Sequence, residues 1–516
     1  MSNEAPRRIG VIETRGIEPV PEAERHGKPV GLFWMWFGAN MGVLGITLGA
    51  ALITFDGLSV PQALLIAAIG AAGSFALVGI LSVAGQRGGA PGLTLSRAVF
   101  GVRGNWGPTL ISWLGFVGWE TVSCTTATFA LLAVLNVFGI GATPVLTVIC
   151  LLAVVLVAAL IGLFGHATIM WVQKWLTWVF GALTLVVVAM LIGKVDWAHA
   201  FSQPAGPVAA VVSAIGFIAA GTGLTWLSAG ADYARYLPRS MKPRRIIGAT
   251  VLGSSIPLFV LISMGALMAI GDQNLAAAND PVAAIGAFLP SWMLIPYLLT
   301  AVFGLIAAAD LSMYSSGLNL ITGGIKVRRS SAVIVDAILI VLGGLYITVI
   351  SQNFYGAFIT FLTLLAVPLV AWAGVFLVDI IGRKFYDPAA LLDTRRGSMY
   401  WYRSGVNWSA FMAWLIGIIL GLLFTTASAG TSVWFSGPFA SSWIGKNGLG
   451  WLVSGVTAAV LYAVIRAVAR QQTVFLAPSL GSDPAAEGAN AANAIPAETA
   501  APGAGIPGND VNEGAQ

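Results

Sequence analysis

The chain has 516 residues, of which 57% are hydrophobic and only 9% charged. A soluble globular domain carries about 25% charged residues, so this sequence lacks the polar surface of one. Its net charge of +5 is scattered between apolar runs and forms no basic patch of the kind that nucleic acid requires.

The first thirty residues are charged and contain no hydrophobic region ahead of a cleavage site, so 1–30 reads as a cytoplasmic N-terminal tail. A membrane-spanning helix needs roughly 20 mostly apolar residues. Such stretches recur near 31–53, 61–84, 106–136, 142–164, 168–193, 207–231, 245–271, 291–322, 331–351, 353–381, 407–426 and 447–468. The expected fold class is therefore an all-α polytopic membrane protein of about 12 transmembrane helices, with a transporter domain over 31–470. Between spans 9 and 10 only Ser351, Gln352 and Asn353 intervene. From 471 to 516 the chain turns to Ala, Gly, Pro and Asn without lysine or arginine, the composition of a disordered cytoplasmic tail.

The loops test this count independently. Cytoplasmic loops carry an excess of lysine and arginine. With both ends inside, the inner segments hold Arg7, Arg8, Arg87, Arg97, Arg103, Lys174, Arg235, Arg239, Lys326, Arg328, Arg383 and Arg470 among others. Of the 26 basic residues only Lys194 and Lys446 fall outside. One miscounted helix would invert every later loop, so the split supports a multi-pass protein of the cell membrane with cytoplasmic termini. Its first partner is the bilayer.

Span 1 contains GANMGVLGITLGA, with Gly38, Gly42 and Gly45 around Asn40. Span 6 contains AAGTGLTWLSAG, with Gly221 and Gly223 beside Thr222 and Trp226. Glycine in membrane helices ordinarily serves close packing. At matching places in two five-helix halves, however, it marks helices broken near the midplane, where transporters bind cargo. A break frees N–H and C=O groups that can hold a polar cargo and a cation. The pattern predicts a five-plus-five inverted-repeat core (LeuT-like) with helices 1 and 6 broken and two further C-terminal helices.

Few ionisable groups lie within spans. Glu120 sits in LISWLGFVGWETVSCTTATFALLAV, residues 110–134, and Asp310 in AAADLSMYSSGLNL; Asp336 lies near one end of span 9, and Asp232 and Asp379 sit at span ends. No lysine or arginine falls near the predicted midplane. A carboxyl there must face a wet cavity, accept hydrogen bonds, carry a proton, or bond in its neutral form to a neighbouring helix. Phe116, Trp119 and Ser123 fall on one helical stripe, either core packing or a cargo wall. Glu120 is turned by about 100° from Trp119, toward another helix. Cys124 and Cys150 read as small core residues, and His26, His166 and His199 are far apart in sequence, so no metal, cofactor or catalytic cluster is implied and a membrane enzyme is disfavoured.

One stretch is more specific. GLTLSRAVFGVRGN, residues 92–105, resembles the loop between spans 2 and 3 of the nucleobase–cation symport-1 family. Gly118–Trp119, the Ala39-Asn40-Met41 triplet, ADYARYLP at 231–238 and YSSGLNL at 314–320 match in order, and ADYARYLP is most similar to the purine-cytosine permease branch. The resemblance implies a twelve-helix importer of nucleobases or related heterocycles coupled to a cation. It implies a cargo ring stacked between Trp119 and Trp226, with its edge read by Asn40, Ser123 and Ser312; Phe116, Thr222 and Gly223 join them as candidate binding residues. Relatives usually carry Asn or Gln where this chain has Ser123, and Asn where it has Ser312, so the edge code differs here. Sodium-using relatives place a Ser/Thr pair where this chain has Ile306 and Ala307. That favours a proton, with Asp310 the first candidate carrier and Glu120 the second. A same-fold carrier of an amino acid, a quaternary amine held by an aromatic box, or an allantoin- or hydantoin-like ring, coupled to sodium, stays open as the alternative.

Overall fold

The structure, a computed structural model, describes residues 15–164, 166–272, 274–278, 280–325, 329–351, 354–429 and 432–469. The tail 471–516 and the basic residues Arg7, Arg8, Lys326, Arg328 and Arg470 lie outside them, as do Gln352 and Asn353.

Helices dominate, and their ends follow local chemistry. Span 1 starts at Pro29, whose missing N–H costs nothing in a first turn, and runs as two pieces, Pro29–Ala39 and Leu44–Thr54, bent by 60°. Span 2, Val60–Gly88, opens on a capping box in which the Ser59 N–H donates to Gln62 Oε1 at 3.0 Å, and closes on Gly89 at φ +67°. Spans 3, 4 and 5 are Trp106–Val137, Pro144–Phe164 and His166–Ile192. Span 6 runs as a helix only from Val208 to Gly221, continues as a 3-10 turn over Gly223–Trp226, and regains an α-turn at Gly230–Ala234. Spans 7 and 8 are Pro243–Ala269 and Ser291–Thr322. Span 9, Arg329–Leu345, passes into a π-helix over Tyr346–Ser351, and span 10 is Phe354–Gly382. Span 12 is Gly450–Ala469.

Among the described residues ten helices are long and apolar enough to cross a membrane, eleven with the bent pair of span 1. The stretch expected as span 11, 407–426, is a shorter apolar helix, Trp408–Leu423. Its last residues enter a two-stranded hairpin, Thr426–Ala429 with Ser432–Ser436.

Close approach between helices depends on glycine. A Cβ on Gly49 would run into the Ile262 carbonyl, and one on Gly265 into the Ile46 carbonyl, so span 7 and the second half of span 1 meet backbone to backbone. With lipid offering no hydrophobic drive, such contact is what joins helices. Residues 15–28 are also anchored: Val20 and Arg25 are buried, Arg25 donates to the Val20 and Gln86 carbonyls, and Arg235 donates to the Gly16 carbonyl at 2.8 Å. The segment read as a tail therefore closes on spans 2 and 6. At the far end of span 10 the buried Asp379 pairs with Arg383 at 2.6 Å and Arg466 at 3.6 Å.

Candidate cargo site at the two helix breaks

Span 1 breaks because Asn40 turns its own side chain onto the helix it ends. Its Nδ2 donates to the Trp36 carbonyl at 2.8 Å and its N–H to the Phe37 carbonyl at 3.3 Å, while Met41 N–H closes on Gly38 O. The carbonyls freed by the break are capped locally, and Asn40 keeps Oδ1 to accept from a cargo. Span 6 breaks at Thr222, at φ −127° and ψ −99°. Thr222 Oγ1 donates to the Ile218 carbonyl at 2.6 Å, and Ser74 of span 2 pins the break by lying 3.2 Å from both Thr222 Oγ1 and the Gly223 nitrogen. Gly223 is required there, since a Cβ would collide with the Ser74 backbone.

The two breaks face one hollow. Asn40, Trp119, Ser123, Thr222, Trp226 and Ser312 all line it, together with Leu48, Leu258 and Leu305. Six of the eight residues singled out as cargo-binding candidates thus converge. The other two stand behind: Phe116 packs on Trp226 with ring centroids 5.9 Å apart, and Gly223 serves the Ser74 contact. Trp226 is braced from a second side by the buried Trp36, 5.5 Å away and edge-on. Trp119 meets Phe361 of span 10 edge-to-face at 6.2 Å. A Cβ on Gly118 would strike that Phe361 ring, which explains the Gly–Trp pair. The site therefore offers two fixed aromatic walls, an acceptor at Asn40 and hydroxyls at Ser123 and Ser312. The Ser312 hydroxyl reaches the Ala308 carbonyl only at 3.3 Å, a long bond that a ligand can compete with.

Neither candidate proton carrier lines the hollow. Asp310 is fully buried on another face of span 8, toward Gly162 of span 4. Glu120 is fully buried too, and among the described residues neither of its oxygens has a hydrogen-bond partner. Its electrostatic neighbour is Asp336, which accepts from Trp113 Nε1 at 2.9 Å. Among the described residues no group of three His, Cys, Asp or Glu is placed to hold a metal.

Toward the end of span 3 nearest the loop motif, a polar chain that the sequence alone did not reveal ties the helices together. Asn319 Nδ2 donates to Ser112 Oγ at 2.8 Å, and Ser112 Oγ to Ser228 Oγ at 2.7 Å, joining spans 8, 3 and 6. The 92–105 motif continues that seal. Arg97 donates to the Thr322 and Leu391 carbonyls, the Gly92 N–H donates to Asp232 at 2.8 Å, and Asn105 Nδ2 donates to the Leu93 carbonyl. Burial draws the Arg97 guanidinium down to about 10, so it stays charged at neutral pH.

Residues 19–486 match the family described as permease for cytosine/purines, uracil, thiamine, allantoin. The chain belongs to that permease family. This permease is 27% identical to the putative purine-cytosine permease YxlA of Bacillus subtilis over 468 residues, 88% of this chain and 96% of the relative. It is 30% identical to the cytosine permease of Escherichia coli K12 over 434 residues, 78% of this chain and 87% of the relative. Among solved structures it superposes on Mhp1, a nucleobase-cation-symport-1 family transporter in a closed conformation with bromovinylhydantoin bound, with a TM-score of 0.70 at 19% identity, covering 88% of this chain and 95% of that one. The permease fold, mostly helical with two interrupted spans, agrees with that likeness.

Proposed function

We propose that this permease imports a nucleobase or closely related heterocycle, of the cytosine or purine kind, by symport with a proton through alternating access. It works in the cell membrane with both termini in the cytoplasm. The observation that carries the reading is the pair of indoles, Trp119 and Trp226, facing one hollow at the breaks of spans 1 and 6. A flat ring has few donors on its faces and must shed water there, which two aromatic walls reward, while its edge is read by Asn40, Ser123 and Ser312. Serine hydroxyls rotate and can donate or accept, so Ser123 and Ser312 can each answer a donor or an acceptor on the edge of the base. The same box would attract a quaternary amine through its ring faces, but the three polar groups beside it match a heterocycle edge better.

Uptake of radiolabelled cytosine into cells expressing the chain, with adenine, hypoxanthine, hydantoin, choline and amino acids as competitors, tests this directly. Competition by planar bases alone is expected, and competition by choline or amino acids alone would refute the cargo. Ser312→Ala is expected to raise the KM for the transported base about fivefold, the loss of one hydrogen bond worth about 1 kcal/mol, without changing the level of protein in the membrane. An unchanged KM would take Ser312 out of the ring-edge contacts.

A further inference from the structure

Spans 1, 5 and 8 meet beside the break of span 1, and the group at their junction is an uncharged amide. Gln173 of span 5 is 1% exposed, and its Nε2 donates to the Ala307 carbonyl of span 8 at 2.7 Å. Its Oε1 looks the other way, toward span 1: a Cβ on Gly38 would stand 2.9 Å from it and would strike Thr177 Oγ1, one helical turn further along span 5. Gly38 directly precedes Ala39, where the first half of span 1 ends. One side chain therefore touches the two helices that flank the cargo hollow on this side.

In broken-helix transporters, unwound carbonyls and the C-terminal ends of half-helices are where a coupling cation is held. A sodium ion at such a place bridges two helices by collecting several oxygens. Here donors already occupy oxygens that such an ion would use. The Trp36 carbonyl takes the Asn40 amide, the Phe37 carbonyl the Asn40 N–H, and the Ala307 carbonyl the Gln173 amide. Ile306 and Ala307 add no side-chain oxygen. Among the described residues Gln173 Oε1 and Thr177 Oγ1 are buried without a hydrogen-bond partner, and two oxygens suit a single water rather than a sodium ion.

We propose that the Gln173 carboxamide stands where a coupling cation would otherwise bridge spans 1 and 8, so that this seam closes without sodium. Gln173 is on this view a positioning residue that decides ion selectivity, acting through Ala307 and Gly38 rather than on the cargo. The proposal deepens the reading of the chain as a proton symporter and rests on it for its functional meaning, but the binding of sodium at the seam is testable without any cargo. Turning the amide into a carboxylate removes the donor and sets an acceptor against the Ala307 carbonyl and Thr177 Oγ1. Such a cluster of acceptors calls for a cation, either sodium or a proton on the carboxyl itself, so the test is run at alkaline pH, where the proton is withdrawn.

The test uses the full-length purified chain. Thermal unfolding is followed in sodium chloride and in choline chloride at equal ionic strength, for wild type, Gln173→Glu and Gln173→Leu. Wild type and Gln173→Leu are expected to unfold at the same temperature in both salts, whereas Gln173→Glu gains a sodium-specific rise of roughly 2–4 °C. In proteoliposomes, wild-type uptake of radiolabelled cytosine driven by a pH gradient is expected to be equal in the two salts, and Gln173→Leu to be at least tenfold slower in both. Sodium-specific stabilisation of the wild type overturns the proposal, whether or not cytosine is carried. A folded Gln173→Glu that ignores sodium even at alkaline pH overturns it too, as does a Gln173→Leu that transports as fast as wild type. Should Gln173→Glu not fold, the wild-type sodium titration and the Gln173→Leu rate decide. Absence of uptake of any base, with the sodium responses as expected, counts against the cargo reading and leaves the seam as described.

Discussion

Trp119→Ala is expected to weaken binding of the transported base by about 1–3 kcal/mol, a loss of roughly 5- to 150-fold in affinity, because stacking of a base on one aromatic side chain is worth that much. The argument is geometric. Trp119 lines the hollow and is braced by Phe361 of span 10. A braced indole loses little freedom when a ring settles on it, so most of the stacking energy appears as affinity. Alanine removes that wall and lets water onto the ring face. Trp119→Phe keeps an aromatic surface and should recover most of the affinity, which separates stacking from a general collapse of the site. Binding of radiolabelled cytosine to purified protein, measured beside thermal unfolding, provides the check. An alanine variant that binds as tightly as wild type would end the stacking account. Trp226→Ala should be at least as damaging, since Trp226 also fills the space between Trp36 and Phe116 and its removal takes a packing face from both rings.

Why Trp119 was legible in the sequence while its support was not is a question of periodicity. The glycine pairs around Asn40 and Thr222 signal breaks because only residues without a Cβ, or with a short polar side chain that caps its own helix, let a helix stop inside the bilayer. Both breaks lie where the glycines placed them, and the stripe carrying Trp119 and Ser123 follows from helical spacing alone. The boundaries of spans 2, 3, 8 and 12 fall within a few residues of the apolar runs. Trp36, Ser74 and Phe361 were not legible, because their roles depend on which distant helix lies opposite them. Ser74 is one small polar residue in a long apolar run, yet it pins the break in span 6. The same holds for Ser112, Ser228 and Asn319, three ordinary polar residues that become one chain of hydrogen bonds only after spans 3, 6 and 8 are packed. The helix Trp408–Leu423 is shorter than its apolar run because the chain turns into a hairpin strand at Thr426, a β-branched residue that suits extended backbone. Nothing near Gln173 in sequence hints at Ala307, its partner across the packed spans. Phe116 shared the stripe with Trp119 but sits a turn away, where Trp226 covers it, so spacing placed it on the correct side and packing took it off the wall.

Asp310→Asn is expected to abolish the dependence of uptake on an inward proton gradient, lowering acid-stimulated accumulation at least tenfold, while exchange of labelled for unlabelled base across the membrane continues. The two readouts differ because net symport requires the carrier to return empty after giving up its proton, whereas exchange never asks for that step. Asp310 is fully buried two residues before Ser312, on the helix whose other face contributes to the hollow. Asp310 lies against Gly162 of span 4, so gain or loss of a proton there changes what span 8 presents to span 4. Tyr233 of span 6, which donates to the adjacent Leu311 carbonyl at 2.7 Å, ties that linkage to the second broken helix. A proton taken up from the outside when the external pH is low would thus be felt by span 8 and span 6 together, and both of them line the hollow. Asparagine keeps the size and the hydrogen-bonding capacity but cannot titrate, so stability should survive while the pH profile flattens. Glu120→Gln is the matched comparison, because that carboxyl is equally buried and has Asp336 for its electrostatic neighbour. If Asp310→Asn keeps the wild-type pH profile and Glu120→Gln loses it, the proton travels along spans 3 and 9. If both profiles stay intact, neither carboxyl is the coupling group and the proton-symport reading has lost its carrier.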